Sequence, residues 1–247
     1  MDKLLYVAMS GASQNQMAMQ AHANNLANVS TTGFHKDLEQ ARSMQIFGDS
    51  YPTRVYAMSE RPATDFSGGA LQQTGRALDV SVQGEGWMAV QAANGGEAYV
   101  RTGHLEIDPL GVLRTDSGLP VLGNGGLITV PPKMTIEIGQ DGTVSIRGDG
   151  QNTSVLAQID RLKLVNPDPK QLEKGADGLV RMAQGQAAPK ADANIRVVSG
   201  FTEASNVNAA EEMTSILELS RQFELHIKMM RAAEDNSAAM DKVLQIA

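Results

Sequence analysis

Few residues in this chain are of a type and spacing that could do chemistry. Gly84-Glu85-Gly86-Trp87-Met88-Ala89 has the G-x-G-x-x-A form of a dinucleotide-binding turn. That chemistry needs a helix directly after the glycines, so that its N-terminus meets the pyrophosphate. Gly95-Gly96 follows too soon to leave room for one, and a hairpin turn is expected instead. His22, His35, His104 and His226 fall in four separate segments with no H-E-x-x-H spacing, so packed or surface histidines are expected rather than metal ligands. Cysteine is absent, which removes thiol nucleophiles, zinc–thiolate sites, iron–sulfur clusters and disulfides. No G-x-S-x-G elbow occurs, and Asp141-Gly142 and Asp149-Gly150 read as hairpin turns rather than calcium loops. No catalytic, cofactor-binding or metal-ligating residue is expected, and no enzyme activity.

Composition narrows the partners. The 247 residues carry 21 basic and 28 acidic side chains, a net charge of -7, so no basic field exists to hold nucleic acid or anionic lipid. With 42% apolar and 20% charged residues the chain is of ordinary globular make-up. No run of 18 or more apolar residues is present, and Met1 to Met9 lacks an apolar signal core. Neither membrane insertion nor a cleaved secretory signal is expected.

The punctuating residues divide the chain into two kinds of structure. All nine prolines and 22 of the 24 glycines lie between residues 34 and 204, and Phe201 to Ala247 contains neither, as a long helix requires. Alternate steps of three and four from Ile216 reach Leu219, Phe223, His226, Met230, Ala233, Ser237, Met240 and Leu244, a heptad seam with Ile227 beside it. Asn208 followed by Glu211 predicts the N-cap of a helix over 208–245. The same steps from Leu5 reach Ala8, Ala12, Asn15, Met19, His22, Leu26 and Val29, with Gly33 as the expected C-terminal cap. The pair predicts an antiparallel coiled coil built from residues 1–33 and 205–247.

Between these ends the period changes to two. Leu78 to Val82, Trp87 to Gln91, Ala98 to Arg101, Met134 to Ile138, Thr143 to Arg147 and Arg161 to Val165 read as strands separated by Gly, Asn, Asp and Pro turns. The expected fold class is therefore α+β: terminal helices forming an antiparallel coiled coil, with a central, mostly antiparallel β domain over 75–204. Residues 34–74, with Pro52, Pro62 and Gly68-Gly69, read as an extended linker.

One feature stands above this background. From Leu4 to Phe34 there is no Asp, Glu, Lys or Arg, where a 20% charged chain would place about six. Gln14, Asn15, Gln16, Gln20, Asn24 and Asn25 refuse a membrane span, because lipid would leave their amides unsatisfied. A polar disordered tail is an alternative, opposed by the regular apolar steps. The favoured reading is a helix covered on several sides by protein, with sibling subunits completing the cover and the terminal segments becoming ordered as they join. Eight of the 13 methionines lie in 1–33 and 205–247, where adaptable side chains suit contacts that differ between neighbours.

Ala23-Asn24-Asn25-Leu26-Ala27-Asn28-Val29-Ser30-Thr31-Thr32-Gly33-Phe34 resembles the N-terminal motif of bacterial flagellar rod and hook proteins. Leu78 to Val82 leading into Gly84-Glu85-Gly86-Trp87, then Tyr99 to Gly103 and Gly118 to Gly123, resemble the core motifs of that family, and Ser205-Asn206-Val207-Asn208 with Glu212-Met213 resembles its C-terminal signature. The opening residues, Trp87 in place of the usual Phe, and the length are most similar to the proximal-rod branch, with the distal-rod branch as the near alternative. His35 departs from the Lys or Arg common after the Gly-Phe pair. The resemblance implies a structural subunit of the periplasmic rod, exported by the flagellar type III apparatus and assembled with proximal and distal rod subunits and with itself. In another class, a polysaccharide-binding β module would need an exposed aromatic platform, for which only Trp87 and four tyrosines are available.

Overall fold

The computed structural model describes residues 2–39, 41–45, 55–59, 63–132, 134–148 and 157–244. The chain divides into two compact units. One comprises Met1–Val29, Lys36–Asp65 and Val207–Ala247, and the other Ser30–His35 and Phe66–Asn206.

The first unit is built on helices α1 (Asp2–Ala27) and α2 (Ala209–Leu244). Asn208 caps α2, its Oδ1 accepting the Ala210 N–H at 3.1 Å, and Glu211 and Glu212 lie in the first turn where the helix dipole favours negative charge. The helices pack against each other in opposite senses, since Gly11 lies against the His226 ring while His22 pairs with Glu212. On α2 the less exposed positions include Ala209, Glu212, Ile216, Leu219, Phe223, His226, Met230, Ala233 and Ser237, an alternation of three and four, with Ser215, Ser220 and Ile227 beside it. The covered stripe therefore begins seven residues before the Ile216 expected from apolar spacing, because a charged Glu212 occupies a seam position.

Residues 34–74, read from the sequence as a linker, carry strands. β1 (Asp37–Leu38) pairs with β4 (Ala63–Thr64), and β2 (Ala41–Gln45) with β3 (Val55–Ser59), giving an antiparallel ribbon whose β3 lies on α1. Pro52 and Pro62 lie outside the described residues. The ribbon explains a second covered stripe on α1, where Gln14 and Asn25 are buried. Part of the cover that the sequence reading assigned to sibling subunits thus comes from the chain itself.

The second unit contains β5 (Leu71–Gln73), β6 (Asp79–Gln83), β7 (Trp87–Gln91), β8 (Glu97–Val100), β9 (Thr102–Ile107), β10 (Leu113–Thr115), β11 (Leu122–Gly123), β12 (Gly126–Leu127), β13 (Met134–Ile138) and β14 (Thr143–Gly148). It continues through β15 (Ala157–Arg161), β16 (Leu164–Val165), β17 (Leu172–Lys174), β18 (Val180–Met182), β19 (Arg196–Ser199) and β20 (Phe201–Glu203). Every strand pairing among the described residues is antiparallel, the main sheets running β10-β9-β6-β19, β16-β7-β8-β18-β17 and β13-β14-β15. The run Trp87-Met88-Ala89-Val90 is apolar on both faces because β7 lies between two cores. Met88 and Val90 join Val80, Leu105, Leu113 and Leu164 on one side, and Trp87 and Ala89 join Tyr99, Val165 and Val180 on the other. The strand expected over 161–165 is two strands, broken where Leu162 N–H bonds to Gly142 and Lys163 N–H to Leu122 as the chain changes sheet.

Among the described residues Gly11 is the one glycine inside a helix, and its bare Cα admits the His226 ring: a Cβ there would lie 2.6 Å from Cε1. Gly11→Ala should lower the stability of the helix pair by about 1 to 3 kcal/mol, despite alanine's better helix propensity, because the seam is overpacked. Adding His226→Ala should recover most of the loss. Urea unfolding followed at the helical circular dichroism band checks both, and an unchanged midpoint for Gly11→Ala would contradict the packing.

Candidate functional site: the paired chain ends

The motif residues at the two ends of the chain do structural work at two places, one in each unit. In the helical unit the centre is Asn25, which is 1% exposed. Its amide mimics a backbone pairing partner, with Oδ1 accepting the Asp37 N–H and Nδ2 donating to the Asp37 carbonyl, each at 2.9 Å. The same Nδ2 lies 3.4 Å from Glu212 Oε2, and His22 Nδ1 approaches that oxygen at 2.5 Å. Helix α1, the return strand β1 and the first turn of α2 thus meet on one neutral amide and one buried carboxylate. A charged residue in place of Asn25 could not both donate and accept in this way, which accounts locally for the absence of charge. Asn28 turns back to close α1, its Nδ2 donating to the Asn24 carbonyl at 2.9 Å, and Asn24 Nδ2 reaches Asp37 at 3.4 Å. Ala27 ends the helix on its exposed side.

In the β unit the motif segments clasp each other. Gly33, at φ +67°, donates its N–H to the Glu203 carbonyl at 2.8 Å, and Asn206 donates its N–H to the Phe34 carbonyl at 3.2 Å. A side chain at Gly33 would strike Thr102 Cγ2 at 2.8 Å, so glycine is required here by both conformation and space. This differs from the expected helix cap, since Gly33 lies beyond the end of α1 and serves β20. Asn206 Nδ2 also bonds to the Ser67 carbonyl at 3.0 Å. Lys174 Nζ stands 3.9 Å over the Phe34 ring and donates to the His35 carbonyl at 2.8 Å. His35 is buried with its ring against Trp87 at 5.1 Å and Phe66 at 6.0 Å, so an aromatic stack occupies the place where a basic residue is common.

Of the expected seam residues, Ala8 and Ala12 are buried, and Met19, Leu26, Val29, Ile216, Leu219, Phe223, Ile227 and Met230 are half-buried. Leu5 and Met240 are exposed. The physical reason at Met240 is length: α2 has 36 residues and α1 26, so with Gly11 opposite His226 the partner ends before Met240 is reached. The Leu244 side chain lies outside the described residues. Val207 is buried at the entry to α2, one residue before the Asn208 cap.

Two surface features complete the site. On α2, Met213, Leu217, Leu225 and Met229 are exposed at four- and eight-residue intervals, which spreads them over about 160° of the helix side turned away from the seam. On α1, Tyr6, Met9 and Met17 are exposed among neutral residues. Sequence reasoning followed the seam alone and missed these stripes, although the 213–217–225–229 spacing was available to find them.

Nothing at the remaining polar clusters suggests catalysis. His104 Nδ1 bonds to Asp79 at 2.9 Å across paired strands, with Arg76 beside them. Burial pushes the Asp79 carboxyl up, but the hydrogen bonds from Thr74 and His104 and the charge of Arg76 outweigh it and hold the group below its ordinary range. Gly84 to Gly86 form a turn entering strand β7 with no helix after it, so the dinucleotide fingerprint has no structural counterpart. Among the described residues no set of three or more His, Asp or Glu could hold a metal, and no helix is long and apolar enough to cross a membrane.

Helices made from both chain ends, carrying apolar stripes on their outer faces and continuous with a β unit, define a building block for assemblies. Comparison with known proteins gives the family. Residues 5–35 match the flagella basal body rod protein family, 81–146 the flagellar hook protein FlgE/F/G D1 domain, and 198–243 the flagellar basal body rod FlgEFG protein C-terminal family. The chain is 38% identical over 251 residues to the flagellar basal-body rod protein FlgF of Escherichia coli strain K12, covering 100% of both chains. It is 38% identical to FlgF of Salmonella typhimurium over the same span, and 35% identical to FlgF of Caulobacter vibrioides with 98% and 96% coverage. The chain belongs to the flagellar basal-body rod protein family and is a structural subunit of the rod, with its greatest likeness to FlgF members.

Asn25→Asp keeps the shape and replaces the donating amide with a second carboxylate facing Glu212. The expected loss is about 2 to 4 kcal/mol of stability in the helical unit, from an abandoned buried acceptor and like-charge repulsion. A urea midpoint within error of the parent chain would show that Asn25 does not hold this junction.

Proposed function

We propose that this chain builds the proximal part of the flagellar rod, with α1 and α2 pairing as an antiparallel coiled coil in the inner wall around the export channel and the β unit lying outside it. Its partners in this reading are the other proximal and distal rod subunits, further copies of itself, and the flagellar type III export apparatus, through which it reaches the periplasm without a cleaved signal. The observation that carries the reading is the pair of outward faces on the terminal helices. Met213, Leu217, Leu225 and Met229, exposed over the side of α2 turned away from the seam, cost solubility in a lone chain and are explained by burial against neighbouring subunits. The neutral outer face of α1 supports the same reading, since close packing in a wall leaves no water to solvate a charge.

The polysaccharide-binding alternative has less to stand on. Trp87 is 4% exposed and packed against His35 and Phe66, so it offers no platform to a sugar ring.

Leu225→Asp tests the proposal cleanly, because Leu225 is 58% exposed and lies outside the seam. The isolated variant should unfold at the parent midpoint, while cells carrying it should lack rods and fail to swim. Phe223→Asp, within the seam, should abolish motility and also destabilise the helix pair. Wild-type swimming by Leu225→Asp would remove the support for neighbour contacts along this stripe.

A further inference from the structure

Within the β unit one buried ion pair joins segments that are far apart in the chain. Arg101 and Glu203 are 7% and 1% exposed, and Arg101 Nε donates to both carboxylate oxygens at 3.0 Å. Nη1 and Nη2 donate to the Gly86 and Gly84 carbonyls at 3.2 and 2.7 Å, and Glu203 Oε1 also accepts the Gly69 N–H at 2.8 Å. Among the described residues no second carboxylate bonds to Arg101. The pair is roofed by bare backbone: a Cβ on Gly68 would come within 3.0 Å of Arg101 Nη2 and 3.3 Å of Glu203 Oε1.

The two partners are 102 residues apart, and the carboxylate comes from β20, the last strand before α2. A buried guanidinium without its carboxylate is strongly destabilising, whereas an apolar pair of similar volume at the same place would be neutral or better. The ion pair is therefore poorly explained as a device for raw stability. What it supplies is dependence on order. An apolar core could close once β16, β18 and β19 had joined β6 to β8, but a core that must bury Arg101 cannot close until Glu203 is also available.

We infer that the Arg101–Glu203 pair makes closure of the β unit conditional on the C-terminal strand. In a chain emerging from its N-terminus, β6 to β8 wait first for their sheet partners β16, β18 and β19, and the unpaired Arg101 then holds the unit open until β20 follows. Closure then comes in one step, when β20 brings the carboxylate to Arg101 and the carbonyl to Gly33. For a subunit that must travel through a narrow channel this delays compaction, a use that rests on the rod reading, whereas the folding behaviour itself does not.

Pulse hydrogen exchange during refolding of the full chain from urea tests the inference, read on peptides covering 79–107 and 201–203. In the parent chain both peptides should become protected in the same kinetic phase. Glu203→Gln should slow protection of 79–107 by about tenfold or more and lower the thermal midpoint by about 10 °C. Arg101→Met with Glu203→Leu should uncouple the two, so that 79–107 is protected ahead of 201–203. Protection of 79–107 before 201–203 in the parent chain, or refolding of Glu203→Gln at the parent rate, would overturn the inference. Those two arms decide the matter even if the double variant fails to fold.

Discussion

Each terminal helix carries a seam that it cannot cover alone, and the structure follows from the need to bring the two ends of one chain together. An isolated helix of this kind has little to hold it, since most helical stability in proteins comes from tertiary packing. Here α1 is met by α2 on one side and by the ribbon of β1 to β4 on another. The meeting points are polar: Asn25 with Asp37 and Glu212 in the helical unit, and Gly33 and Phe34 with Glu203 and Asn206 in the β unit. Apolar seams tolerate sliding, while hydrogen bonds of fixed direction do not, so within the helical unit the Asn25 junction sets the register in which the seams pack.

The same requirement explains why α1 has so little charge and so many amides. On the two covered faces, Gln14 and Asn25 satisfy their amides with Glu39, Asp37 and Glu212 rather than with water. An amide can donate and accept at once, whereas a carboxylate or ammonium would need a dedicated partner. The carboxylates drawn against α1 come from other elements: Glu212 of α2 is met by His22 and Asn25, and Glu39 accepts from Gln14 at 2.6 Å. In the β unit the solution is different. Its cores are apolar on both faces of the β7–β8 sheet, and among the described residues buried charge is met in compact groups, Arg101 with Glu203 and the Asp79 carboxylate with Arg76 and the His104 ring.

What could be read from the sequence was set by how local the signal was. The cap of α2 and the strands over 87–91, 134–138 and 143–147 are written in short-range spacing and lie where that spacing puts them, whereas the covered stripe of α2 begins at Ala209 and stops short of Met240. The ribbon over 37–64 was read as linker because its strands are short and mix apolar and polar residues without a clear period of two, and its prolines suggested extension. Its formation is decided by α1 lying beneath it, which no local pattern reports. Glu212 broke the seam pattern because a charge at such a position is legible only once its partners are known. The motif residues were recognisable as motifs, but their roles were not, since Gly33 and Glu203, like Asn25 and Glu212, meet across most of the chain.

The two units also differ in what they do with methionine, and that difference bears on assembly. In the β unit Met88 is fully buried among valines and leucines, filling a fixed core. In the helical unit Met9, Met17, Met44, Met58, Met213, Met229 and Met240 are all exposed, and they supply many of its exposed large apolar side chains. Branched residues on an outer face would favour one partner geometry, whereas an unbranched thioether adjusts to several at little cost. A tubular wall presents each subunit with neighbours that are not identical, above, below and beside it. A surface of adaptable side chains over a seam held in register by directional hydrogen bonds meets that demand: the internal geometry stays fixed while the outward contacts vary.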